Sequence, residues 1–491
     1  MNALQSLLLR AMPALAAAAL PVAAQAADDG SLATRVEALE RALRQLETAP
    51  AAAPQPAAGA DEGEALRARI DTLDQAVRVV GRKLELEQEA IAARQKDSAA
   101  VSAGRDGFAL RSGDGAFRLR IGGVVQADAR AFVATDPAVA AASLDNFYLR
   151  RVRPVFEGTF AERFGFLIRP EFGNEGKLSL LDGYVEARFS PAFRVRGGKF
   201  KAPVGLERLQ SPSDIAFVER GFPTQLLPNR DVGFQLSGDV LDGRLGYALG
   251  WFNGVPDNSS GDTDNNTSKD FAARVFAHPF RAGDSDWLRG LGVGVAATGG
   301  NQTGNAALGT YLTPGLQRFF QYEATASAAG SRQRVSPQLY WYAGPFSLLA
   351  EYATNTQGVS RSGVQKDLTH TAWQIYGTWV LTGEDASYTR VTPRQPFDSA
   401  NGQWGAFEVG LRLQQLSLDD DAFTGTAATR LADIGKSARR ATAAGVVLNW
   451  YLNRNIKIQA DYNQTRFVGG AAGGRDLDDE HVVIARLQAA F

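Results

Sequence analysis

The sequence predicts an all-β fold, a 16-stranded antiparallel transmembrane β-barrel preceded by a periplasmic α-helical coiled coil. Three observations carry this reading. Apolar and polar residues alternate from about residue 115 to the last residue. The alternating segments run to about ten residues and are joined by connections that are short and long in turn, the pattern of a barrel that crosses a bilayer. A seam of heptad spacing occupies the stretch before them.

Composition narrows the chemistry. The 491 residues include no cysteine, two methionines and three histidines, which excludes disulfide scaffolds, thiolate metal sites and cysteine nucleophiles. The formal charge of −1 provides no global field for nucleic acid, so any electrostatic function must come from local segregation of charge. No cofactor, metal or nucleic-acid partner is expected.

Residues 1–26 read as a secretory signal, with Arg10, an apolar Ala/Leu run and small residues at Ala24 and Ala26. A buried N-terminal helix is the alternative, and Pro21 favours cleavage. Residues 27–50 form the first coiled-coil helix, on Leu32, Val36, Leu39, Leu43 and Leu46. The linker at 51–60 is too rich in Pro, Ala and Gly to pack. Residues 61–98 form the second helix, on Leu66, Ile70, Leu73, Val77, Val80, Leu84 and Ile91, with Glu87 interrupting the seam. So narrow a stripe favours chain association over docking on a globular core, although a helix folded back on its own chain gives the same pattern. The helices are expected in the periplasm, touching the cell wall or a periplasmic partner.

The barrel is assigned to residues 108–491. In FRLRIGGVVQADARAF, Phe117, Leu119 and Ile121 share one face, while Arg118, Arg120, Gln126, Asp128 and Arg130 share the other. The rhythm returns at 164–172, 411–416, 446–453, 456–463 and 483–491. Trp251, Trp341, Trp379, Trp404 and Trp450 fall near segment ends, where they suit the membrane interfaces. A soluble β-sandwich also alternates, but it needs polar outer faces and seldom repeats such long segments. The short connections Ala161-Glu162-Arg163, Ser190-Pro191-Ala192, Asp242-Gly243, Gly344-Pro345 and Asn453-Arg454-Asn455 are placed at the periplasm; the long polar ones near 255–270, 301–330 and 418–438 are placed outside. The chain ends on Phe491, which resembles the terminal signal read by the outer-membrane assembly machinery.

The non-lipid parity should line a hydrated lumen. Arg118, Arg120, Arg130, Arg151, Arg153, Arg169, Arg188, Arg194 and Arg196 all fall on it, and facing lipid instead would cost about 2–4 kcal/mol each at mid-bilayer. The stretch RVRGGKFKAPVGLER (194–208) adds Lys199, Lys201 and Arg208 against one acid, Glu207. A long connection follows, about 203–230, with Pro203, Pro212, Pro223 and Pro228 and no clean alternation. A loop of that length is usually functional, and it is expected to fold inward and narrow the lumen with Glu207, Arg208, Ser211, Asp214, Glu219 and Arg220. Guanidinium and ammonium groups there could replace part of an anion's hydration shell. Asp182, Glu186 and Glu207 should weaken that hold enough for release.

The segments FRLRIGGVVQAD, FYLRRVRP, LLDGYVEARF, GKFKAPVGLER, AFVERGF, SPQLYWYAGPFSLLAEYA, LTGE, GAFEVGLR and LNWYLN occur in this order. Together they resemble the phosphate-selective porin O/P family from about residue 108 to the end. The resemblance implies a sixteen-stranded trimeric barrel that passes anions along an arginine ladder to a central basic and polar site. On that resemblance Arg150 and Arg151 stand at the family's paired arginines, Asp182 at its central acid, Arg208 at the base after Gly-Leu-Glu, and Ser211 at a central hydroxyl. Lys199, Lys201 and Arg220 lie in matching segments. Val124 replaces the arginine that follows the paired glycines in phosphate-specific members, and Pro212 replaces their second central serine. The expected function is passive diffusion of small anions, phosphate or similar oxyanions, through the outer membrane by a homotrimer in contact with membrane lipid; the alternative is a general, weakly selective porin that the coiled coil also anchors. An enzyme is not expected: His278, His370 and His481 are far apart in sequence and no G-x-S-x-G is present.

Overall fold

The structure, a computed structural model, describes residues 61–491 apart from 98, 105–106, 134–144, 174–177, 265 and 305–306. The predicted signal (1–26), first helix (27–50) and linker (51–60) lie outside the described residues. Helix α1 (Asp61–Asp97) is continuous over 37 residues. Its seam residues Ile70, Leu73, Val77, Val80, Leu84 and Ile91 are all exposed, while Arg78 pairs with Asp74 one turn earlier at 2.7 Å, a helix-surface contact.

The remainder is a sheet closed on itself. A hairpin, β1 (Ala100–Gly104) and β2 (Gly107–Arg111), leads into β3 (Arg118–Phe132), β4 (Asn146–Phe160), β5 (Phe164–Glu171), β6 (Ser179–Ser190) and β7 (Phe193–Lys201). Then come β8 (Arg230–Val240), β9 (Leu245–Phe252), β10 (Asp270–Ala277) and β11 (Leu291–Gly304). A two-stranded ribbon, β12 (Tyr311–Leu312) and β13 (Arg318–Phe320), stands apart. The wall resumes with β14 (Ser327–Ala343), β15 (Phe346–Arg361), β16 (Val364–Val380), β17 (Ala406–Ser417), β18 (Ala438–Tyr451), β19 (Ile456–Gly469) and β20 (Glu480–Ala490). Each wall strand pairs antiparallel with its neighbour, and β20 returns to β3 with Arg486 opposite Asp128. The result is a closed barrel of 16 strands, as the alternation predicts.

Its polarity is inverted relative to a soluble protein. Phe147 (90% exposed), Leu249, Phe271, Leu411, Val446 and Leu487 stand on the outer face, whereas Arg332, Arg334, Arg412 and Arg486 are buried inside. Such a surface is stable only against hydrocarbon. At the end of the barrel that carries the short turns, rings gather across neighbouring strands: Phe160 on Phe164, Phe346 on Trp379, Phe407 on Trp450, and Trp287 against Trp341 at 4.6 Å between centroids.

All five predicted short connections lie at this turn end, together with Phe491. Three connections break the rule, one of them the long segment 278–290 that joins β10 and β11 at the turn end. β15 and β16 are joined at the opposite, loop end by only Ser362 and Gly363, and β16 and β17 are joined at the turn end by the long segment 381–405. Part of the loop end is packed. Phe319, Phe320, Leu431 and Tyr311 from its connections pack with Phe222 and Leu226 against the inner-wall residues Leu416, Ala441 and Phe467.

Candidate functional site

The segment between β7 and β8 crosses the barrel. It contains a short helix, α2 (Leu206–Leu209), and a 3-10 turn (Phe222–Leu226). Inward side chains of the far wall receive it: Phe222 N donates to Gln414 Oε1 (2.8 Å) and Val218 N to Asp461 Oδ2 (3.1 Å), while Lys457 Nζ donates to the Ile215 carbonyl (3.1 Å). Glu351 Oε1 accepts from the Leu206 amide at the start of α2 (2.7 Å). Glu207, expected among the bases, turns its carboxylate to the Gly221 amide and Gln374 Nε2, at 2.7 and 3.0 Å, and so fastens the loop to β16.

Glu219 is the centre of the tightest charge cluster. Arg150 grips it with two nitrogens at 2.7 and 3.0 Å, Arg151 lies at 3.5 Å, and Arg486 at 3.1 Å while also holding Asp128 with two bonds of 2.7 Å. Strict alternation would send Arg150 and Arg151 to opposite faces. A register shift between Gln126 and Ala127, opposite them on β3, turns both inward. Burial alone would raise the Glu219 carboxyl, but Arg150, Arg151 and Arg486 outweigh it and hold it well below the ordinary carboxylate value.

Most of the other inward arginines of β3–β8 also have acids beside them. Arg120 meets Glu157 (2.5 Å), Arg153 meets Glu171 (2.5 Å), and Arg194 meets Asp239 (2.5 Å). Asp182 lies between Arg169 (2.8 Å) and Arg230 (3.1 Å). Glu186 lies between Arg188 (2.7 Å) and Arg196 (2.5 Å), whose guanidinium stacks 4.1 Å over Tyr184.

Three adjoining cavities open along this arc. One, of about 320 Å³, has Arg120, Arg153, Arg169, Arg390 and Arg454 in its lining with Ser211 and Asp214. A second, of about 420 Å³, is lined by Arg169, Asp182, Arg194, Arg196, Lys201, Ser211 and Arg274, among others. A third, of about 370 Å³, has Arg118, Arg120, Arg188 and Glu157. Arg169 and Ser211 are common to the first two, and Arg120 to the first and third.

The remaining predicted residues serve other contacts. Arg130 donates to Tyr148 Oη and lies over its ring. Lys199 pairs with Asp262 and donates to the Leu180 carbonyl (2.7 Å). Lys201 donates to the Gln210 carbonyl (2.7 Å), Arg220 to the carbonyls of Glu207 (3.0 Å) and Gln210 (2.7 Å), and Arg208 to Thr224 and to Asn258 Oδ1 (2.6 Å). Burial, with Arg220 and Arg230 nearby, pulls Arg208 down to about 9, so it stays charged at neutral pH. Neither this group of four (Arg130, Lys199, Arg208, Arg220) nor the pair Arg150 and Arg151 lines the three cavities.

Sequence reasoning missed Arg230, Arg274, Arg390, Arg454 and Arg486. Parity on β20 would have found Arg486, but Arg390 lies in an irregular connection where parity has no meaning. Each histidine is engaged by a tyrosine hydroxyl: His278 by Tyr340 (2.6 Å), His370 by Tyr322 (2.6 Å) and His481 by Tyr462 (2.8 Å). Among the described residues no cluster of His, Asp or Glu is arranged to hold a metal ion.

Comparison with known proteins agrees with this architecture. The chain is 26% identical over 424 residues to Porin O of Pseudomonas aeruginosa, covering 79% of this chain and 91% of that protein. Its fold is similar to the outer membrane channel DcaP of Acinetobacter baumannii, with a TM-score of 0.50 at 11% identity over 79% of this chain and 100% of that one. An anion-selective porin from Comamonas acidovorans superposes with a TM-score of 0.48 at 13% identity, over 76% of this chain and 100% of that one. The profile of one family, phosphate-selective porin O and P, matches residues 119–491. The chain, with its closed barrel and its inward arc of arginines, belongs to the phosphate-selective porin O and P family.

Proposed function

We propose that the protein is an outer-membrane porin for passive diffusion of small anions, phosphate or similar oxyanions, through a pore lined by bases. The observation that carries this reading is the run of adjoining cavities along β3–β8, in whose linings arginines outnumber acids. Arg118, Arg120, Arg153, Arg169, Arg194, Arg196 and Lys201, with Asp182 and Ser211, are the pore-lining set. Arg130, Arg150, Arg151, Lys199, Arg208 and Arg220 shape the pore by holding its loop and rim.

Release matters as much as capture. A bare unit pair at 4 Å is worth about 4 kcal/mol at an effective dielectric of 20, so several unopposed arginines would trap an ion. The carboxylates of Glu157, Glu171, Asp182, Glu186 and Asp239 lower that hold, which favours several weak sites in series. In a planar bilayer under a KCl gradient, the reversal potential should show anion preference, and added phosphate should block chloride current. Arg169→Ala, at the junction of two cavities, should raise the blocking concentration by about tenfold, the equivalent of one weakened charge contact. Cation preference in the native channel would end the proposal.

The exposed seam of α1 supports assembly through the N-terminal helices in the periplasm, as a homotrimer. Deleting residues 27–98 should then reduce chemically cross-linked trimer without changing single-channel conductance.

A further inference from the structure

The 420 Å³ cavity is not uniformly polar. Arg169, Arg194 and Arg196 contribute cationic groups, but Leu167, Pro203 and Leu209 contribute apolar wall beside them. Leu167 lies directly opposite Tyr184 across β5 and β6, and Pro203 and Leu209 come from the loop that crosses the barrel. The neighbouring 320 Å³ cavity, reached past the shared Arg169 and Ser211, instead presents the hydroxyl residues Ser213, Thr389 and Thr392.

This division is wasted on an inorganic oxyanion. Phosphate is hydrated on every side and gains nothing from Leu209 or Pro203, whereas an anion with an apolar body loses unfavourable hydration by resting there. Binding pockets that fix small organic molecules combine apolar walls with a few placed polar groups, as this cavity does. The Arg196 guanidinium lies over one face each of Tyr184 and Phe200, at 4.1 and 5.3 Å from the ring centroids, and the aliphatic residues form the shelf beside them. Asp182 and Asp239, the acids of the cavity, are held by Arg169, Arg230 and Arg194 and so present partly neutralised charge.

We infer that this cavity selects a small organic anion, one oxyanionic group on an apolar body of about aryl size, with the charge at Arg169 and Ser211 and the body against Leu167, Pro203 and Leu209. The inference rests on the anion-porin reading above and names its substrate class.

Inorganic phosphate and phenylphosphate carry the same headgroup and differ in the apolar body, so they are the probes. In planar bilayers the full-length native channel should be half-blocked by phenylphosphate at a concentration about tenfold below that of phosphate, the effect of burying part of one ring. Leu209→Asn should cut that ratio to about threefold or less. Equal block by the two probes in the native channel would overturn the inference while leaving the anion porin intact, and so would an unchanged ratio in Leu209→Asn. A channel with neither block nor anion preference would overturn both. If Leu209→Asn fails to assemble, the native comparison of the two probes still decides.

Discussion

Glu219 shows how one side chain can organise a pore without lining it. Three guanidinium groups from β4 and β20 converge on its carboxylate, so its removal would leave Arg150 and Arg151 without this counter-charge, while Arg486 would keep Asp128. Breaking a buried pair of this kind costs about 3–5 kcal/mol, more than replacing the whole cluster by apolar groups would. Glu219→Gln should therefore lower the unfolding temperature in detergent and, by freeing the loop, broaden the distribution of single-channel conductance. The pH dependence follows from the depressed carboxyl. Its folded value lies below its unfolded one, so the contribution is complete above the ordinary carboxylate range and is lost only as pH falls through the folded value. The stability gap between native protein and Glu219→Gln should be the same at about pH 7 and pH 5 and narrow only in stronger acid. A gap that closes between those two conditions would contradict the assignment.

The wall strands were legible because a period of two is written into most of them, and a slip by one residue would send arginines into lipid. What alternation could not register is any place where the period breaks. The shift opposite Arg150 and Arg151 is one such place, and the loop from β7 to β8 is another, since many of its contacts are made to residues more than a hundred positions away. Its proline content and position announced an inward loop, but nothing local indicated that Glu207 would face Gln374. The fit is close at Gly221. A Cβ there would lie 1.9 Å from Gln374 Oε1, so the carboxamide would have to swing away from Glu207 and Glu351. Each buried acceptor left without its donor costs about 1–3 kcal/mol. Gly221→Ala should thus loosen the loop, visible as faster proteolysis within 203–230 of the detergent-solubilised barrel, while the equivalent change at Gly299 in β11, where a Cβ would meet nothing, should not.

At the scale of the whole molecule, the barrel depends on one seam. β20 runs beside β3 as far as Ala490 opposite Val124, and Phe491 then exchanges two backbone bonds with Gly123, at 2.9 and 3.0 Å. Beyond that point β2 takes over the edge, with Phe108 opposite Ile121, and the Phe108 and Phe491 rings meet edge to face at 6.5 Å. The last residue therefore fills the gap between two strands that share a single edge, and an unfilled edge in a membrane barrel leaves backbone groups without partners. The paired glycines make room for it: a Cβ on Gly122 would sit 2.6 Å from the Phe491 carbonyl oxygen, and one on Gly123 would sit 3.1 Å from its ring. Deleting Phe491, or introducing Gly122→Val, should therefore act on closure. The expected result is a lower fraction of chain running as the compact, heat-modifiable form on unboiled gels of outer membranes. Refolding purified Gly122→Val chain into detergent separates closure from any role of Phe491 in cellular assembly, because Gly122→Val leaves Phe491 in place. A normal yield of closed barrel from Gly122→Val in detergent would show that the seam does not govern closure.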